Sequence, residues 1–129
     1  MNNALCNLTV SDYLKELSSK SATPGGGSAS ALIAAQGTAL LSMVCKFTQP
    51  GDEFLLETSK ACLETQTNLL RLAQDDADAF NSVIKWYKDK GSSHYQEAIE
   101  KAVTVSLDIM REASNAAETA EYLAERGNK

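Results

Sequence analysis

Proline and glycine are both scarce. The 129 residues include two prolines and seven glycines, and three of the glycines stand together at 25–27. Long uninterrupted helices are therefore permitted almost everywhere else. Aromatic residues make up only 6% and β-branched clusters are short, so the composition speaks against a sheet. Basic residues are outnumbered, 12 to 17, and the net charge of −5 argues against a surface built to neutralise nucleic-acid phosphates. The three cysteines, Cys6, Cys45 and Cys62, form neither a metal-binding spacing nor an even disulfide set. They read as free thiols of a reducing, cytoplasmic compartment. The first twenty residues lack a basic start followed by an apolar run, which argues against a secretory leader. What is present is ordinary for a folded protein: 43% hydrophobic and 22% charged residues, and enough chain for one domain.

Within residues 9–19, Val10, Tyr13, Leu14 and Leu17 fall at offsets of 0, 3, 4 and 7, which predicts an amphipathic helix. Thr9 and Asp12 are placed to cap its start, and Lys20 suits its end. Residues 21–28 hold Pro24 followed by Gly25, Gly26 and Gly27, which predicts a loop with Gly27 or Ser28 as the next N-cap. Residues 29–44 carry no charge. A helix that is apolar or small all round is buried or crosses a membrane. The marginal length, with Ser30, Gln36, Thr38 and Ser42 inside it, favours the buried alternative. Gly27, Ala31, Ala35 and Ala39 form a small-residue row on which another helix can approach closely. Residues 49–52 predict a turn, with Asp52 capping a third helix that runs to about Asp89. Residues 91–93 end it, and a last helix runs from His94 or Tyr95 to Arg126, with Gly127 as its stop. The apolar stripe of this last helix is Ile99, Ala102, Val103, Met110, Ala113, Ala117, Ala120 and Ala124. The expected fold is all-α, an antiparallel bundle of long helices with a buried small-residue helix.

One residue breaks the pattern. In the third helix Leu69, Leu72, Ala73, Phe80, Val83, Ile84 and Tyr87 share an apolar face, and Asp76 falls inside it. Its neighbours Asp75 and Asp78 point elsewhere. An unpartnered buried carboxylate is costly, so Asp76 is held either by a structural partner or for chemistry. That partner is a cation or a helix N-terminus. The three glycines before a helix carry the same two meanings: a tight interhelix turn, or backbone N–H groups open to a ligand. The loop matches neither the Walker nor the dinucleotide-binding spacing. His94 and the lysines Lys85, Lys88 and Lys90 read as solvated, although an anionic tail suits the lysines. Trp86 and Tyr87 read as packing residues, and Cys45 and Cys62 as small core fillers.

The stretch Ala22-Thr23-Pro24-Gly25-Gly26-Gly27-Ser28-Ala29-Ser30-Ala31 resembles the signature of the cyclodeaminase/cyclohydrolase family of folate enzymes. Leu72-Ala73-Gln74-Asp75-Asp76-Ala77-Asp78-Ala79-Phe80 and Ala120-Glu121-Tyr122-Leu123-Ala124-Glu125-Arg126-Gly127-Asn128 resemble two further family segments in the same order. The resemblance implies an all-α, homodimeric domain over residues 1–129 that binds tetrahydrofolate, with family members continuing into further helices. Ser106 stands where the family often has proline, which implies a straighter last helix. The implied activity is methenyltetrahydrofolate cyclohydrolase: hydrolysis of the cyclic amidinium to 10-formyltetrahydrofolate, a step of one-carbon metabolism. Asp76 is the candidate catalytic residue. Pro24, Gly25, Gly26, Gly27, Ser28 and Asn81 are the candidate substrate-binding residues. No metal and no cofactor beyond the folate substrate is expected, and neither a nucleic acid nor a membrane as partner. The alternatives are a formiminotetrahydrofolate cyclodeaminase, in which the same carboxylate acts as an acid beside departing ammonia, or a non-catalytic folate-binding or helical interaction module.

Overall fold

The structure, a computed structural model, describes residues 4–48 and 51–126. Among them there is no strand. A short 3-10 turn, Leu5–Asn7, precedes four α-helices: α1 Val10–Leu17, α2 Gly26–Phe47, α3 Glu53–Trp86 and α4 Ser93–Arg126. Polar caps set two of the starts. The Thr9 hydroxyl accepts from the Asp12 backbone N–H at 3.1 Å, and the Asp52 carboxylate accepts from Leu55 N–H at 2.8 Å. The expected turn residues Gln49 and Pro50, and the expected stop Gly127, lie outside the described residues.

The long helices run antiparallel, as the paired residues show. Ser28 meets Asp76 at one end of the α2–α3 pair, and Ser42 meets Ser59 at 2.8 Å at the other. Trp86 stacks on His94 at one end of α3–α4, and Phe54 packs on Tyr122 at the other. Ala31, Ala35, Leu69, Leu72, Ala73, Ala79, Val105 and Ile109 form the main core, and Cys45, Leu55 and Leu123 a second one. Alanines on α2 let α3 come close, so the interface is thin and buries mostly small groups. Burial pushes both the Cys45 and the Cys62 thiols up from the ordinary range, and Cys62 is raised further by the nearby Cys45.

Four details differ from the sequence reading. α2 begins three residues early, at Gly26, so Gly26 and Gly27 are helical and Gly25 is the N-cap. The buried row of α2 is Ser28, Ala31, Ala35, Thr38, Ser42 and Cys45, while Ala39 faces out. The spacing of three and four residues tracks the 3.6-residue turn, which a strict row of fours drifts away from. α3 stops at Trp86 rather than Asp89. The core face of α4 is Ala98, Val105, Ile109 and Leu123, about a quarter turn from the predicted stripe. Val103 and Met110 of that stripe are exposed. α4 has more apolar positions than one face can hold, and the bulkier Val105 and Ile109 fill the core.

α2 also meets the length and apolarity of a membrane-spanning helix. Here its polar residues are used inside the bundle: Ser42 bonds Ser59, and the Thr38 hydroxyl donates to the Ala35 carbonyl at 2.8 Å. α4 is unbroken through Ser106, whose hydroxyl donates to the Ala102 carbonyl.

Candidate active site

The glycine run places three residues in three different settings. Gly25 is extended and ends the loop; no side chain caps α2 from that position. A methyl group on Gly26 would meet nothing within 4 Å. A Cβ on Gly27 would lie 2.1 Å from Asp76 Oδ1, 2.5 Å from its Cγ and 2.7 Å from Oδ2. The Asp76 carboxylate therefore occupies the space that a side chain at position 27 needs. That is the close approach for which glycine is required, and the visitor is a side chain of the same protein.

Asp76 Oδ2 accepts the backbone N–H of Ser28 at 2.8 Å. α2 thus borrows from α3 the cap that its own sequence lacks. The positive end of the α2 dipole complements the carboxylate charge. The Ser28 hydroxyl is fully buried, 2.7 Å from the Ala73 carbonyl oxygen and 3.1 Å from Asp76 Oδ2. The sequence reading has this hydroxyl holding a substrate group; the structure turns it into the bundle. Asp76 Oδ1 makes no hydrogen bond among the described residues. Asp76 is half-buried, and both of its carboxylate oxygens lie against Gly27.

Pro24 is buried behind the loop and follows a cis peptide bond from Thr23. Asn81, one and a half turns beyond Asp76 on α3, accepts the Thr23 hydroxyl at 3.3 Å. No local pattern marks Thr23, because its partner lies 58 positions away. The two flanking aspartates are engaged elsewhere. Asp75 pairs with Arg71 at 2.5 Å, and Asp78 accepts from the Gln74 amide at 3.0 Å. Gln74 in turn accepts the Leu5 backbone N–H at 2.8 Å and ties the N-terminal segment to α3. Between that segment, α1 and the α2–α3 face lies an open cleft of about 550 Å³. Leu5, Tyr13, Leu14, Leu32, Gln36 and Leu70 line it, while residues 24–28, Asp76 and Asn81 are not among its lining residues. Burial raises the Tyr13 phenol above its ordinary range. Among the described residues no group of three or more His, Cys, Asp or Glu side chains is placed to hold a metal.

The fold is thus an all-helical bundle in which one carboxylate of α3 is seated at the glycine-rich start of α2. Residues 9–129 match the sequence profile of formiminotransferase-cyclodeaminase, and the chain belongs to that family. It is 33% identical to the methenyltetrahydrofolate cyclohydrolase of Methylorubrum extorquens, over 95% of this chain and 66% of that protein. It is 29% identical to the formimidoyltransferase-cyclodeaminase of Mus musculus, over 97% of this chain and 26% of that protein. The crystal structure of formiminotetrahydrofolate cyclodeaminase from Thermotoga maritima superposes with a TM-score of 0.88 at 30% identity, covering 96% of this chain and 65% of that one. The chain thus spans about two thirds of the length of these bacterial relatives and about a quarter of the mouse one.

Proposed function

We propose that the protein is a methenyltetrahydrofolate cyclohydrolase in which Asp76 is the catalytic carboxylate. The observation that carries this reading is the division of Asp76 into one oxygen held by Ser28 and one that, among the described residues, has no hydrogen bond. The substrate is a delocalised amidinium cation, one carbon bridging two folate nitrogens. A fixed anion beside that carbon stabilises the cation, and its free oxygen accepts a proton as water adds. The new C–O bond forms, one C–N bond breaks, and the freed nitrogen takes up a proton. The chemistry needs water and a base and no cofactor.

Two further parts of the reading rest on composition and surface. Three free thiols suit a reducing cytoplasm. Large exposed apolar side chains on α3 and α4, Phe80, Ile84, Leu107 and Met110 among them, suit a homodimer, and the polar locks within α2 suit a bundle helix rather than a membrane span.

The test is loss of methenyltetrahydrofolate absorbance. Asp76→Asn keeps an acceptor for the Ser28 N–H and removes the charge. We expect kcat to fall by about 10²–10⁴-fold with the fold intact. Equal rates for the two proteins sink the catalytic assignment. The likeness to the Thermotoga cyclodeaminase favours a second reading, in which the same carboxylate donates a proton as ammonia leaves. Ammonia release from formiminotetrahydrofolate, without hydrolysis of the methenyl compound, selects it. Binding of folate without turnover of either compound selects a non-catalytic module.

A further inference from the structure

We infer that Ser28 is a positioning residue whose hydroxyl follows the charge on Asp76. The inference rests on the folate reading above and concerns how its carboxylate is held. A hydroxyl has one proton to give. Two acceptors compete for that of Ser28: the Ala73 carbonyl at 2.7 Å and Asp76 Oδ2 at 3.1 Å. The residue is fully buried, so water does not intervene. The Ala73 carbonyl is the nearer acceptor, but while Asp76 is ionised the charge on Oδ2 competes for the same proton. When Oδ1 has taken a proton from the attacking water, that attraction falls and the hydroxyl turns to the Ala73 carbonyl. In both states the buried hydroxyl is satisfied, so the turn leaves no orphaned polar group.

The Ser28 backbone N–H, 2.8 Å from Oδ2, stays in place throughout. It occupies Oδ2 and leaves Oδ1, which accepts no hydrogen bond among the described residues, as the oxygen that takes the proton. Gly27 supplies the flat ground on which the carboxylate lies. Ser28 thus touches neither substrate nor water and acts through Asp76.

The experiment is a double-mutant cycle on the full chain, with Ser28→Ala, Asp76→Asn and both together. We expect Ser28→Ala to lower kcat about tenfold while KM changes by less than about twofold. In the Asp76→Asn background the same substitution lowers kcat no further, because the two residues act as a unit. Ser28→Cys, which fills the space with a weak donor, gives the same loss and guards against an effect of the cavity. A second cycle needs no substrate: Ser28→Ala and Asp76→Ala are expected to be non-additive in the midpoint of thermal unfolding. A raised KM with kcat unchanged assigns Ser28 to the ligand and overturns the inference. So does a lowered melting temperature with wild-type kcat, or full additivity in either cycle. Turnover of neither folate compound by the wild-type protein overturns the underlying reading, and the positioning role with it. Turnover by wild type that Ser28→Ala leaves untouched overturns the positioning role alone.

Discussion

Gly26 and Gly27 are chain neighbours in opposite surroundings. A Cβ at position 26 points into open space, while one at position 27 collides with the Asp76 carboxylate. Neither glycine has a positive φ, so conformation alone does not demand glycine at either place. Gly26→Ala is therefore expected to stabilise the protein by about 0.4–1 kcal/mol, because alanine loses less chain entropy than glycine on folding. Gly27→Ala gains the same entropy, but it drives the carboxylate off its seat and breaks the Ser28 N–H bond. The expected outcome is a raised urea midpoint for the first variant, and for the second a lower midpoint with lost cyclohydrolase activity. Equal midpoints and equal activity for the two would show that the carboxylate is not seated on Gly27. Asp76 was legible in the sequence because one acid interrupts an apolar face, which helical periodicity exposes. The inward turn of Ser28 was not legible. A serine in the first turn of a helix has equal access to solvent and to a neighbouring helix until the second helix is placed.

At the level of elements, the caps decide where the long helices begin. The Asp52 carboxylate accepts from Leu55 N–H, and the backbone geometry at Asp52 is extended, as an N-cap requires. α3 packs against both other long helices, so fraying at its start loosens Leu55 from the second core. Asp52→Ala is expected to lower global stability by about 1 kcal/mol, read from chemical unfolding. Thr9→Ala removes an equivalent cap from α1, yet α1 buries no residue and leaves Val10 77% and Leu14 54% exposed. That substitution is expected to speed amide exchange within α1 while leaving the global midpoint unchanged. The caps at Thr9 and Asp52 were readable because their partners lie three residues away. The phase of α4 was not, since apolar residues such as Val103, Leu107 and Met110 stand on a second face that periodicity cannot rank against the first. Only the positions of α2 and α3 select Val105 and Ile109 for the core.

Across the whole molecule, that second face has a consequence. Phe80 and Ile84 of α3 and Val103, Leu107 and Met110 of α4 are each close to half exposed or more. Phe80, Val103 and Leu107 line a groove of about 300 Å³ between the two helices. Monomeric proteins rarely leave contiguous apolar patches beyond a few hundred Å². The α2–α4 groove is lined mostly by alanine and glycine, with Ile33 and Leu41 as its larger members. Pairing through the α3–α4 face is therefore expected, giving a species of twice the 13.9 kDa chain in sedimentation velocity. Each chain carries a net charge of −5, so two copies repel. Added salt screens that repulsion without weakening apolar burial, and the dimer is expected to tighten as salt rises. Leu107→Glu with Met110→Glu places four carboxylates in the shared contact and is expected to yield monomer, while Ile33→Glu on the α2–α4 side is expected to leave the dimer intact. Dimers lost with Ile33→Glu alone would move the interface to the α2–α4 groove, and a chain monomeric at every concentration would remove the dimer proposal.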